Sequence, residues 1–300
     1  MFRTVSHHFA PFRTITASMF GPLFLVALPS ARMCRMNRFA KIVCSRLFIL
    51  VVAALLAACS TTTTTEQKQA NMAGKTDPTR RAEIHTERAA EYYRLGIMAV
   101  ALEAAKQAVS ANNNYAPAHN MLALIYMRLN ADAKAQAAFE QAIRIAPNDS
   151  YTLNNFGWFL CQGNTPQRSL PYFAQALRDP LYTTPHLAHY NAGVCARRAG
   201  DTTAAENSLR ASLQRAPEFA AALYELADLL FAQARIKDAD TMFSRYNKSV
   251  RDPDANALFL GTRIARATGD RNAEAGYIAQ LRRRYPDSSQ TRDAVAALSR

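Results

Sequence analysis

Three hundred residues fit either two domains or one elongated solenoid, so length alone does not choose between them. The composition is rich in Ala and Leu with only 10 Gly, and no window sustains the period-2 alternation of strands, so helices are expected. A formal net charge of +13 suggests nucleic acid, but Arg3, Arg13, Arg32, Arg35, Arg38, Lys41 and Arg46, with no acidic residue among them, carry more than half of that excess. The other charges are scattered, without the basic stripe that tracks a phosphate backbone, so no nucleic-acid partner is expected.

Residues 1–35 precede a complete export signal and are read as an over-extended start or a disordered extension. Residues 36–58 then supply a basic segment, Met36 to Arg46, and an apolar run, Leu47 to Ala57. That run is far shorter than the ~20 residues of a membrane-spanning helix and suits the apolar part of a secretory signal. It ends in Leu56-Ala57-Ala58-Cys59, which resembles the bacterial lipobox. Small side chains there admit the signal peptidase, and the Cys59 thiol is the acceptor for the acyl chains. Ser60 follows Cys59 rather than Asp, so the inner-membrane retention signal is absent. The expected location is the inner leaflet of a Gram-negative outer membrane, facing the periplasm. Residues 59–79 are polar and lack helical periodicity, a flexible tether that reaches on the order of 25 Å.

From residue 80 the chain repeats with a period of about 34 residues, the signature of tetratricopeptide repeats. The clearest unit runs from Ala116 to Asp149. It places Leu122 at position 7, Ala123 at 8, Tyr126 at 11, Ala135 at 20, Phe139 at 24, Ala142 at 27 and Pro147 at 32. Small residues at 8, 20 and 27 let two antiparallel helices approach, larger ones at 7, 11 and 24 fill the gaps, and Pro at 32 stops the second helix. The same frame fits from Ala82, Ser150, His186 and Ala220, and again from Asp254 or Ala255, a register open by one residue. The expected fold is all-α: a right-handed superhelix of about six helix-turn-helix pairs over residues 80–287, closed by a capping helix or tail over 288–300. In the third unit, Thr165-Pro166 reads as the cap and first turn of the second helix. Asp179 to Pro185 lengthens that unit by two residues, read as an exposed loop.

Stacked pairs of this kind leave a concave groove lined by first helices, faced by positions 2, 5, 9, 12 and 13. These include Tyr93, Asn120, Leu124, Met127, Asn154, Trp158, Tyr190, Val194, Tyr224, Asp228 and Phe231. Rings supply contact area and amides pin a backbone, so the set suits an extended or helical peptide. The competing reading of the rings is packing between helices. Asn155 and Asn191 at position 6 are read as structural. Arg94, Arg128, Arg197 and Arg198 end first helices, where they compensate the helix dipole; the competing reading is that they meet an acidic partner tail.

No catalytic or metal pattern accompanies the repeats. After the leader the histidines are His85, His119, His186 and His189, and no HExxH or CxxC joins them. No glycine-rich phosphate loop or nucleophile elbow occurs, so neither an enzyme, a cofactor nor a small-molecule substrate is expected. Cys161 and Cys195 are the thiols left after lipidation, at positions 12 and 10 of adjacent first helices. In an oxidising compartment either a disulfide between repeats three and four or two buried free thiols fits.

The segments Ala116–Tyr126, Asn154-Asn-Phe-Gly-Trp-Phe-Leu-Cys-Gln162, Asp179-Pro-Leu-Tyr182 and Tyr190-Asn-Ala-Gly-Val-Cys195 resemble the PilW/PilF family of type IV pilus biogenesis lipoproteins. That resemblance implies a pilotin, an outer-membrane lipoprotein that binds secretin subunits and promotes their targeting and multimerisation. The alternative is a general periplasmic adaptor that recruits peptidoglycan hydrolases or envelope-assembly factors.

Overall fold

A computed structural model of the chain describes residues 77–163 and 165–298. The expected extension, leader, Cys59 and most of the tether lie outside these described residues. The tether is shorter at its end than expected. Asp77 accepts a hydrogen bond from the Thr79 amide at 2.9 Å, and Pro78 sits in the first turn, where its missing N–H costs nothing. Helix α1 therefore begins at Pro78 and runs to Arg94.

Thirteen α-helices and no strand occur among the described residues. After α1 come α2 (Met98–Ala111), α3 (Ala116–Arg128), α4 (Asp132–Ile145) and α5 (Ser150–Gln162). A 3-10 turn at Pro166–Ser169 leads into α6 (Leu170–Ala176). Then follow α7 (Pro185–Arg198), α8 (Thr202–Arg215), α9 (Ala220–Ala232), α10 (Ile236–Ser249), α11 (Ala255–Thr268), α12 (Arg271–Arg284) and α13 (Ser289–Ala296). Asp149, Asp201, Asp254, Asp270 and Ser288 each accept from an amide in the helix that follows, which satisfies one orphan donor per helix.

The helices pair as α1/α2, α3/α4, α5/α6, α7/α8, α9/α10 and α11/α12, with α13 over the last pair. Each first helix contacts the first helix of the next pair, whereas among the described residues second helices meet neighbouring first helices but not each other. First helices thus form the inner face and second helices the outer one. Packing follows the repeat frame. The position-24 side chains Ala105, Phe139, Phe173, Leu209 and Phe243 are all buried, and so are Ala101, Ala135, Ala205 and Ala239 at position 20.

The open register of the sixth unit has a structural origin. Counted from Asp254, Gly261 falls at position 8 like Gly157 and Gly193, and a Cβ there would lie 2.6 Å from the Phe243 ring. Counted from Ala255, Gly269 (φ 79°) falls in the turn slot of Gly96 (78°), Asn130 (55°), Gly200 (87°) and Ala234 (59°). Both frames hold in part because α11 has 14 residues where α3, α5 and α9 have 13.

Two local expectations are corrected. The Thr165 side chain accepts no capping hydrogen bond, and the second helix of the third pair opens as 3-10. Pro171 has no N–H for the carbonyl four residues back, so a regular α start there would leave that bond unmade. The Asp179–Pro185 segment is also not a plain exposed loop. The Asp179 carboxylate accepts from the Leu181 amide (2.9 Å) and the Ser150 hydroxyl (3.0 Å). This turns the chain so that Tyr182 is buried edge-on against Tyr151, with centroids 5.1 Å apart. Burial pushes the Tyr182 phenol up to about 12.

Candidate binding face

The inner face is built from side chains at fixed positions of successive first helices, so a residue on one helix meets its counterparts on the next. Amides occupy the middle of the stack. Asn155 donates to the Asn120 side-chain oxygen at 3.2 Å, and Asn191 donates to that of Asn154 at 3.0 Å. Position 5 of one repeat is thus tied to position 6 of the next. Asn154 is buried and its carbonyl is engaged, so it is a rung of the stack and not an open groove amide. Asn155 and Asn191, read as structural, supply the donors.

Several rings expected to face a ligand are shared with the core. Tyr190 lies half-buried, edge-on to Phe219 at 5.3 Å, and burial raises its phenol strongly. Tyr224 packs 5.8 Å from Tyr246, and burial raises it likewise. Trp158 is half-buried against the cluster of Cys161, Phe173 and Cys195. Tyr93, Leu124, Met127, Val194 and Phe231 are half-buried, each keeping some surface outside the stack. Cys161 and Cys195 are joined as a disulfide with Cα atoms 5.7 Å apart, bridging α5 and α7.

The carboxyl-terminal half of the face carries a charge chain that inspection of positions missed. Arg197 on α7 donates to Glu225 (3.2 Å) and Asp228 (2.6 Å) on α9. Asp228, expected to await a partner, is therefore engaged within the stack, and Arg197 does more than compensate its helix end. Burial raises the Glu225 carboxyl, and the Arg197 charge only partly offsets it. Arg263 on α11 lies over the Phe231 ring, 4.4 Å from its centroid, with Asp228 4.0 Å away. The signal available in the sequence was an acid at position 6 of repeat five facing an Arg at position 12 of repeat four. It becomes visible only once neighbouring first helices are known to be in contact.

His119, His186 and His189 are packing groups, whereas His85 lies at the surface with Nδ1 3.0 Å from the Arg88 guanidinium. His119 is buried with Nε2 2.9 Å from the Asn113 carbonyl, and His186 lies edge-on to Phe219 at 5.3 Å. Burial lowers His186 and His189, which favours the neutral ring. Among the described residues no group of three His, Cys, Asp or Glu is placed to hold a metal ion, and no helix is long and apolar enough to cross a membrane.

Helical pairs with small residues at 8 and 20, and an inner face of first helices, define a tetratricopeptide-repeat protein. Family models described as tetratricopeptide repeat match residues 116–149 and 196–259. The crystal structure of PilW, described as a widely conserved type IV pilus biogenesis factor, is 36% identical with a TM-score of 0.67, over 71% of this chain and 98% of that one. The chain belongs to the PilW family of tetratricopeptide-repeat proteins. A structure of PilF from Pseudomonas aeruginosa, at 22% identity, shares the fold with a TM-score of 0.69, over 73% of this chain and 99% of that one. The sequence of the type IV pilus assembly protein PilF from Pseudomonas aeruginosa is 24% identical over 64% of this chain and 75% of its own length.

Proposed function

We propose that this chain acts in type IV pilus biogenesis as an outer-membrane pilotin, a binding scaffold rather than an enzyme. In this reading the inner face grips a segment of the secretin subunit, while acyl chains on Cys59 hold the pair at the outer membrane. The observation that carries it is membership of the PilW family, joined to a lipobox-like Leu56-Ala57-Ala58-Cys59 in the sequence. Tethering raises the local concentration of scaffold at the membrane without new interface energy, which suits a factor that gathers subunits for multimerisation. One acyl chain anchors weakly and several hold firmly, so lipidation decides where the scaffold works.

Two variants test the reading in cells. Cys59→Ser removes the acceptor thiol, and secretin multimers are expected to fall or to form away from the outer membrane. Met127→Ser with Val194→Ser alters the inner face at side chains outside the principal core clusters and leaves the Asn120 and Tyr190 packing intact. Normal secretin multimers in both variants, each folded by circular dichroism, refute the proposal. Co-purification of envelope hydrolases in place of secretin favours the adaptor reading.

A further inference from the structure

The first helices after α1 have a lopsided charge; α1 itself carries Glu83, Glu87 and Glu91, of which Glu83 pairs with Arg80 and Glu91 with Arg94. In α3, α5, α7 and α11 there is no acidic residue, yet these helices carry Arg128, Arg197, Arg198, Arg263 and Arg266. The acids of α9, Glu225 and Asp228, are both held by Arg197. Two of the arginines share a further geometry. Arg128 lies over the Tyr93 ring of the preceding first helix, 5.9 Å from its centroid, and Arg263 lies over Phe231 of the preceding first helix at 4.4 Å. A guanidinium beside a ring gives one side to it and keeps other N–H groups that can receive a carboxylate side-on; in Arg128 the Tyr93 hydroxyl engages part of that donor set. Arg128 has no carboxylate within 4 Å among the described residues, and Arg263 reaches Asp228 only at 4.0 Å. Arg197 shows the contrasting case, satisfied twice within the stack. Tyr93 and Phe231 both stand at position 12 of their repeats, so the stacked pairs mark two ends of one face.

We infer that the inner face selects an acidic partner segment, with Arg128 on Tyr93 and Arg263 on Phe231 as its two carboxylate receivers. This rests on the proposed use of that face for binding. Arg263 was not singled out by its sequence position, and Arg128 reads there as a helix-end charge. The pairing with rings on neighbouring helices is what distinguishes them. First helices packed ~9 Å apart over the four steps from α3 to α11 span roughly 36 Å, which one extended segment of about 15 residues covers, so it reaches both receivers.

The test uses two labelled peptides of about 15 residues with the same apolar residues, one carrying Glu at the polar positions and the other Gln, and reads anisotropy with the full chain. The Glu peptide is expected to bind about tenfold tighter, with the advantage shrinking as salt rises. Arg128→Gln with Arg263→Gln is expected to remove that advantage and leave the Gln peptide unchanged. Arg210→Gln, on outer helix α8, is expected to change neither. If both peptides bind equally and both weaken in the Met127→Ser, Val194→Ser variant, the face binds peptide but this inference is overturned. If neither peptide binds, or neither responds to that variant, the use of the face and the inference fall together.

Discussion

Gly193→Ala probes the closest approach in the stack. Gly193 on α7 faces α8, where an added Cβ would sit 2.7 Å from Leu209 Cγ, 3.0 Å from its Cδ2 and 3.1 Å from the Ala205 carbonyl. The Leu209 side chain is fully buried and the carbonyl is helix backbone, so neither yields without separating the pair. Overpacking of this kind costs about 1–3 kcal/mol, and alanine returns about 1 kcal/mol of helix propensity. With a backbone atom among the obstacles, the net expectation is about 1–2 kcal/mol of destabilisation, a fall of roughly 2–8 °C in Tm for a domain of this size. Leu209→Ala alone opens a cavity and costs about 2–5 kcal/mol. Combined with Gly193→Ala it costs less than the sum, since the new methyl group enters the space the leucine leaves; the coupling is about 1–2 kcal/mol. Repeat one already pairs alanines at these two positions, Ala89 and Ala105, both buried. Thermal and urea unfolding by circular dichroism measure all three variants. A Gly193→Ala protein as stable as the parent, or strictly additive costs in the double variant, would refute the argument from close approach.

Two further outcomes are expected. Reduction of Cys161–Cys195, which closes a loop with a sequence separation of 34, lowers stability by about 4 kcal/mol on the chain-entropy estimate, seen as a lower urea midpoint with reductant; an unchanged midpoint counts against it. Burial raises Glu225 in the folded state, so its contribution is fully present below the unfolded carboxyl range and is lost as pH rises through the raised folded value. Glu225→Gln, which keeps an acceptor for Arg197, should flatten the pH profile of the midpoint. The variant should be the more stable protein at neutral pH, with the difference fading towards pH 4; a parallel profile removes the reasoning.

The sequence by itself determined the repeat. Small residues at 8 and 20 with bulky ones at 24 recur at one spacing, because two helices can approach closely only where one side offers no bulk. Helix starts are set by local chemistry too, as at Asp149, Asp201 and Asp254, whose carboxylates cap them, but the cap expected at Thr165 is not made. Even the ambiguous sixth register was legible as an ambiguity, since an extra residue in α11 makes both counts true. What only the tertiary structure decided is which inner-face side chains are already engaged. Asn120 and Asn155 are 35 residues apart, Arg197 and Asp228 are 31 apart, and no local propensity encodes either bond. Tyr190 and Tyr224 occupy nominal groove positions, yet their rings complete the core. Arg128 and Arg263 look like ordinary helix arginines until the ring beneath each is seen. A repeat pattern specifies which face a side chain starts from; the neighbouring helix, brought there by the stack, decides whether its polar edge is used within the stack or remains open.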